Sequence, residues 1–493
     1  MNAMNWSVVL PEIVLLAMAC VIAVVDLWVR DPQRRPTFWL TQATIAVVAA
    51  LHLLQADSGA TQFAMGGMVV VDPMGSLLAF FACIAMMITV AYAQPYLGPR
   101  ELLKGEFFTL SLLALLGIAV MCSANHFLVV YLGLELMSLS LYALTALRRD
   151  HGQSTEAAMK YFVLGALASG FLLYGLSMVY GATGTLEIPK VLQQVAAGEA
   201  LRGALVLGVV FVVAGLAFKL GAVPFHMWVP DVYQGAPTAV TLLIGGAPKL
   251  AAFAITMRLL VEGLAPLAVD WQQMLLVLAV CSLVIGNLAA IAQTNLKRML
   301  AYSTIAQMGF LLLGLAVGMV GGKTDAAANA YSSAMFYIVT YVLTTLGTFG
   351  LIMFLARAGF ESEEISDLAG LARRSPWLAA VMTVFMFSLA GVPPMVGFFA
   401  KLSIIQALVS VGTTFHIALA VVAVLLSLVG AFYYLRVVKV MFFDEPTQTA
   451  PIVQSPRLSG LLGLNGAAVL VLGPLSGGLL ELCRDAIART LAG

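Results

Sequence analysis

A chain of 493 residues that is 61% hydrophobic and 10% charged, with a net charge of +1, stands apart from soluble domains, which run at about 45–50% and about 25%. The near-neutral balance, without basic arms or charge runs, argues against nucleic-acid partners, and apolar runs of bilayer length place the chain in a membrane. The expected class is all-α and polytopic, since no run alternates apolar with polar residues as the strands of a membrane barrel do.

Fourteen apolar segments follow one another, at about 8–29, 38–56, 73–92, 107–123, 125–147, 157–181, 203–232, 238–262, 272–292, 299–321, 329–356, 376–411, 415–441 and 458–480. The opening MNAMNWSVVLPEIVLL has no basic stretch before its apolar run and no small-residue cleavage pattern after it, so it is expected to remain as the first helix. Basic residues gather at alternate segment ends: Arg30, Arg34 and Arg35; Arg100 and Lys104; Arg148, Arg149 and Lys160; Lys297 and Arg298; Arg357, Arg373 and Arg374; Arg436, Lys439 and Arg457. The positive-inside rule makes those ends cytoplasmic. The opposite ends hold only Lys190, Arg202, Lys323, Arg484 and Arg489, so both termini are expected to face outward.

Cys20, Cys83, Cys122, Cys281 and Cys483 are scattered singly without metal spacing. The polar connections 182–202, 357–375 and 442–457 are too short for a soluble domain. One integral membrane domain is therefore expected.

The seventh and twelfth segments exceed a simple crossing, and each carries a Gly/Pro interruption. GLAFKLGAVPFHMW at 215–228 and GVPPMVGFF at 391–399 both adjoin a lysine. Lying five segments apart, they would cross in opposite directions, which is the pattern of an inverted repeat. Such repeats place broken helices near the midplane, where freed backbone groups face a polar site.

Glu135, Lys219, Lys249 and Lys401 lie inside apolar segments. Insertion scales put a charge at a helix centre at about +2.5 to +3.5 kcal/mol, so a functional role is the default reading against snorkelling or a structural ion pair. In VVYLGLELMSLSLYALTAL, Tyr131, Glu135, Ser138, Tyr142 and Thr145 recur at helical spacing and share one face. Lys249 follows Pro248, whose missing N–H frees the Ile244 carbonyl for water or an ammonium. Arg258, one turn from the end of its segment, is expected to snorkel. His226 stands at the seventh-segment break, where an imidazole serves as a proton relay or as a packing group.

Paired mid-membrane haem histidines are lacking, because His52, His126, His151 and His416 fall near segment ends. A phosphate loop and a dinucleotide fingerprint are lacking too. What remains is a line of one glutamate and three lysines in which ammonium groups stripped of water, with a carboxylate near by, exchange protons along the midplane.

The blocks LELMSLSLYAL, FKLGAVPFHMWVPDVYQGAPTAVT, GGAPKLAAFA, LKRMLAYSTIAQMGF and DLAGLARRSPWLAAVMTVFMFSLAGVPPMVGFFAKL resemble, in order, the signatures of the antiporter-like membrane subunits of bacterial respiratory complex I, the NADH:quinone oxidoreductase. The resemblance covers essentially the whole chain. It implies about fourteen transmembrane helices: three N-terminal ones within 1–92, inverted five-helix repeats at 107–262 and 272–441 with helices 7 and 12 broken, and a last helix at 458–480. It further implies proton-transfer roles for Glu135 (helix 5), Lys219 (helix 7), Lys249 (helix 8) and Lys401 (helix 12), with His226, Gln307, Ser138 and Tyr142 along the path. A lysine rather than a glutamate at 401 favours the N branch of the family over the M branch, and the lack of a C-terminal lateral helix separates it from the L branch.

The same resemblance implies no cofactor in this chain. NADH, FMN, iron-sulfur clusters and quinone are expected in partner subunits, alongside sister antiporter-like subunits in the bacterial inner membrane. The alternatives are a subunit of an Mrp-type multisubunit Na+/H+ antiporter, and a non-conducting scaffold. One departure stands out: many relatives carry histidine in helix 10 where this chain has Gln307, an amide able to hold a water wire but unable to take a proton.

Overall fold

In a computed structural model, residues 4–198, 201–318, 324–357, 359–446, 452 and 455–492 are described. Lys323, one of the few basic residues expected at an outward end, lies outside them. The chain is an all-α membrane protein. Its helices are α1 Leu10–Asp26, α2 Arg35–Ser58, α3 Pro73–Leu97, α4 Gly105–Cys122, α5 Phe127–Thr145, α6 Gly152–Thr183, α7 Ile188–Ala197, α8 Arg202–Leu220, α9 Trp228–Gly235 and α10 Thr238–Gly245. They continue as α11 Ala247–Thr256, α12 Ala268–Ile291, α13 Leu296–Ala316, α14 Thr324–Leu355, α15 Leu371–Arg374, α16 Pro376–Ala390, α17 Val396–Ser410, α18 Thr414–Phe443, α19 Pro456–Val471 and α20 Ser476–Ala492.

Local chemistry sets many of these ends. Proline sits in the first turn of α1, α2, α3, α16 and α19, where its missing N–H costs nothing. Asp72, Asn295 and Thr413 cap α3, α13 and α18 by accepting the backbone N–H groups of Gly75, Arg298 and His416.

Among the described residues, eleven helices are long and apolar enough to cross a bilayer, or twelve if α19 and α20 form one bent span. The span 238–263 is wholly buried and α13 and α14 nearly so, whereas α6 and α18 show much of their surface. The helix carrying Lys249 is thus the axis of the bundle. Close backbone approach holds the layers around it. At Gly175 a Cβ would stand 2.8 Å from the Gly208 carbonyl, which brings α6 onto α8.

The structure departs from the sequence reading in four places. The last segment, expected as one helix over 458–480, is two helices bent by 82° at a short break, and α20 runs on to Ala492. The eighth segment is divided at Gly246, with φ −99° and ψ −110°, and ends in a π-helical turn, Met257–Gly263. The connection 182–202 holds α7, which buries Ile188, Val191 and Val195. A short antiparallel hairpin, Gln62–Ala64 with Val69–Val71, follows α2.

The two expected Gly/Pro interruptions separate α8 from α9 and α16 from α17. Both helices end the same way. Gly221 (φ 83°) and Gly391 (φ 85°) take the left-handed conformation that glycine enters without steric cost. Gly221 N and Ala222 N donate to Ala217 O, and Gly391 N and Val392 N donate to Phe387 O. Cis peptides at Val223–Pro224 and Pro393–Pro394 occupy matching places two residues beyond these glycines.

Candidate functional site

A helix ends with four carbonyls lacking helical partners, and the last turns of α8 and α16 show where each goes. The C-terminal turn of α8 uses Ala217 O and Phe218 O for the N–H groups of Gly221 and Ala222. The remaining two, Leu220 O and Lys219 O, accept from the ammonium of Lys249 at 2.8 and 3.2 Å. On α16, Phe387 O and Ser388 O are taken by the turn, and Leu389 O and Ala390 O accept from the ammonium of Lys401 at 2.9 and 3.1 Å. Two breaks are thus closed by two lysines, each set against the negative end of a helix.

Lys249 is 1% exposed and lies 5.5 Å from the centre of the Trp228 ring. The Ile244 carbonyl expected to receive it is bypassed. The Gly246 break turns α11 so that Lys249 reaches α8 instead.

Lys219, on the last turn of α8, donates to Ser138 Oγ at 2.8 Å, and Ser138 in turn donates to Leu134 O at 2.6 Å. Glu135 lies almost one turn away on the same face of α5, half-buried, with Oε1 buried and free of hydrogen bonds. No ion pair joins it to Lys219. The serine holds the lysine beside the carboxylate rather than on it. Of the polar stripe, Ser138, Tyr142 and Thr145 are buried and Tyr131 is half-buried. The Tyr142 ring packs edge-on against Tyr161 at 4.7 Å. His226, in the break between α8 and α9, is half-buried, with Nδ1 unpartnered.

Lys401 is 8% exposed and also donates to Ser427 Oγ on α18 at 2.8 Å. Gln307 on α13 joins the same centre, because its amide donates to Leu389 O at 3.0 Å and to the Tyr434 hydroxyl at 3.1 Å. Tyr337 donates to Gln307 Oε1, and Tyr434 is bonded to Ser303 Oγ at 2.6 Å. Gln307, Tyr341, Thr344, Ser388 and Lys401 line a cavity of about 20 Å³, enough for one water. Gln307 therefore stands beside Lys401, one shared carbonyl away.

The structure overturns the snorkelling expectation for Arg258. That side chain is 1% exposed and bonds Asp72 Oδ2 at 2.5 Å, Glu262 Oε1 at 2.9 Å and Cys122 O at 3.0 Å. Lys297, read as an end-of-helix charge, is likewise buried, bonding Ala236 O and Glu363 Oε1, each at 2.8 Å. Sequence reasoning also missed Ser427, Tyr337 and Tyr434. Their signal was weak, being single polar groups in apolar helices with no charge to mark them.

The family profile described as NADH:quinone oxidoreductase/Mrp antiporter, TM matches residues 124–427. The chain is 62% identical to NADH-quinone oxidoreductase subunit N of Polaromonas naphthalenivorans, over 99% of this chain and 98% of that one. It is 60% identical to the subunit N of Herminiimonas arsenicoxydans over the full length of both. Its fold matches a chain of respiratory complex I from Thermus thermophilus with bound aureothin, with a TM-score of 0.80 and 31% identity over 97% of this chain and 100% of that one. A chain of the Mrp complex from Dietzia sp. DQ12-45-1b shares the fold, with a TM-score of 0.84 but 22% identity over 98% and 97% of the two chains. With relatives of that name along its whole length, the chain belongs to the NADH-quinone oxidoreductase subunit N family of antiporter-like membrane proteins.

Proposed function

We propose that the chain is a proton-translocating subunit of the bacterial inner-membrane NADH-quinone oxidoreductase, driven by quinone reduction in other subunits. It works among sister antiporter-like subunits. NADH, FMN, iron-sulfur clusters and quinone belong to other partner subunits, and this chain carries protons without a cofactor of its own. The observation that carries this reading is the pair of helix breaks whose last carbonyls are held by Lys249 and Lys401.

The chemistry follows from that arrangement. An ammonium at a helix C-terminus is favoured by the carbonyl dipoles. Lys219 and Lys249 meet across one carbonyl, Lys219 O, so a proton on either opposes a proton on the other. Glu135, one turn from Ser138, offsets the charge on Lys219. Protons would then pass from Glu135 and Lys219 to Lys249 and on to Lys401. Ser138, Tyr142, His226 and Gln307 serve as relay groups with intervening water.

The arrangement favours fourteen crossings: the eleven long helices, α1, the broken α16–α17 pair and the bent α19–α20 pair. Inverted repeats would span 107–262 and 272–441, following three helices within 1–92. Both termini would face the periplasm, a reading supported by the placement of basic residues. The matching turns at Gly221 and Gly391 support the repeat. A tag on this chain tests the reading. Recovery of a complex that oxidises NADH, reduces quinone and acidifies inverted vesicles is expected. Recovery of a complex with Na+/H+ exchange and no NADH oxidation would refute it.

A further inference from the structure

Away from the lysine line, at the end of the bundle where α1 and α3 start and α2 and α4 finish, the structure buries a second set of polar groups. Glu12 on α1 accepts a bond from Ser123 Oγ at 3.3 Å through Oε1, while its Oε2 is buried with no partner. His52 on α2 is 3% exposed, and both its ring nitrogens are buried without partners. A neutral imidazole needs one acceptor and one donor, and a charged one needs two acceptors. Buried groups so placed call for a partner. Glu12 and His52 line one cavity together with Gln55, Ser76 and Ser123, of about 10 Å³, at the lower bound for a single water.

Of the titratable groups, Glu12, His52 and Cys122 on α4 line this cavity, Cys83 on α3 lies within electrostatic reach of Glu12 and Cys122, and the cluster of Asp72, Arg258 and Glu262 adjoins it at Cys122. In that cluster one guanidinium faces two carboxylates. The link is short. Arg258 donates to Cys122 O at 3.0 Å, next to Ser123, which donates to Glu12. Arg258 and Glu262 also lie on the π-helical turn Met257–Gly263 that prolongs the Lys249 helix.

We infer that Glu12 and His52 form a proton-binding site, holding one exchangeable proton across a single water and linked through Ser123 and the Cys122 carbonyl to the turn that ends the Lys249 helix. No hydrogen bond joins its groups to Lys219, Lys249 or Lys401, and its carboxyl band is assigned by Glu12→Gln alone, so the test stands apart from the proton path proposed for those lysines.

The test is an infrared difference titration of the intact complex in lipid nanodiscs, between about pH 5 and pH 9, the span around ordinary glutamate and histidine values. A protonated-carboxyl band that titrates in the parent and is lost in Glu12→Gln is expected. His52→Leu should move its midpoint by at least about one pH unit, a tenfold change in proton affinity. Should Glu12→Gln fail to assemble, His52→Gln keeps a hydrogen-bonding side chain, and a displaced midpoint is still expected. A band unchanged in Glu12→Gln, or a midpoint unmoved by both His52 variants, overturns the site.

Discussion

Lys249 closes the end of a helix other than its own: from the second half of a broken segment its ammonium reaches Leu220 O at 2.8 Å, on the last turn of α8. Lys249→Ala frees two carbonyls at that turn but leaves the surrounding apolar packing in place. The variant is expected to assemble and to lose pumping and coupled quinone reduction at least about tenfold, equivalent to about 1.4 kcal/mol in an activation barrier. Native gels and vesicle acidification check it. Loss of assembly with no separate loss of turnover would favour the scaffold reading.

Glu135 is held near Lys219 without an ion pair, with Ser138 taking the lysine's hydrogen bond. Its contribution is therefore charge acting across a gap. Glu135→Gln, which keeps the size and removes the charge, should slow turnover strongly. Glu135→Asp keeps the charge on a shorter arm and should be milder. Equal loss in NADH-driven pumping by both variants would mean that geometry, not charge, governs the position.

Gln307 bridges Leu389 O, Tyr434 and Tyr337 with a group that takes no proton. Gln307→His retains one donor and one acceptor and should be tolerated. Gln307→Leu removes all three bonds, at about 1–3 kcal/mol for a buried group left unpaired, and fills the water-sized space beside Lys401. Slower pumping by an assembled Leu variant is expected. Parental pumping by that variant would route protons elsewhere.

Asp72 pairs with Arg258 where both side chains are 1% exposed. Removing one partner of a buried pair typically costs about 3–5 kcal/mol, because the other charge is left unpaired. Arg258→Met, which strands the carboxylates of both Asp72 and Glu262, should therefore lower the thermal stability of the complex or prevent its assembly, whereas Arg258→Met combined with Asp72→Asn and Glu262→Gln, which leaves no charge there, should recover much of that loss. A thermal melt of the purified complex distinguishes the two. If the single variant melts with the parent, the pair is not structural.

The four charges inside apolar segments were legible because each interrupts an apolar run, and the two breaks because glycine and proline adjoin a lysine there. The partners of those charges were not. Lys249 meets α8 rather than Ile244 O because of a bend at Gly246, a residue whose flanks read as continuous helix. Arg258 was misjudged because its carboxylate, Asp72, is 186 residues away in sequence. Only the folded bundle brings them together. The helix α20 was hidden by Glu481, Arg484, Asp485 and Arg489, which end any apolar window, although Cys483, Ala486 and Ile487 lie at helical spacing and are buried. The stripe of Ile188, Val191 and Val195 in α7 was readable by the same rule.

The claim that Lys249 passes a proton, rather than only holding a helix end, is tested most directly by Lys249→Arg. Arginine keeps the positive charge and donors for Leu220 O and Lys219 O, but its guanidinium stays protonated under all working conditions and releases no proton. The measurement is proton uptake per NADH oxidised in inverted vesicles, with the amount of assembled complex determined by native gel. An assembled Arg variant that pumps as poorly as Lys249→Ala is the expected result. An Arg variant that pumps at the parental ratio would contradict the account and leave Lys249 a purely structural cap.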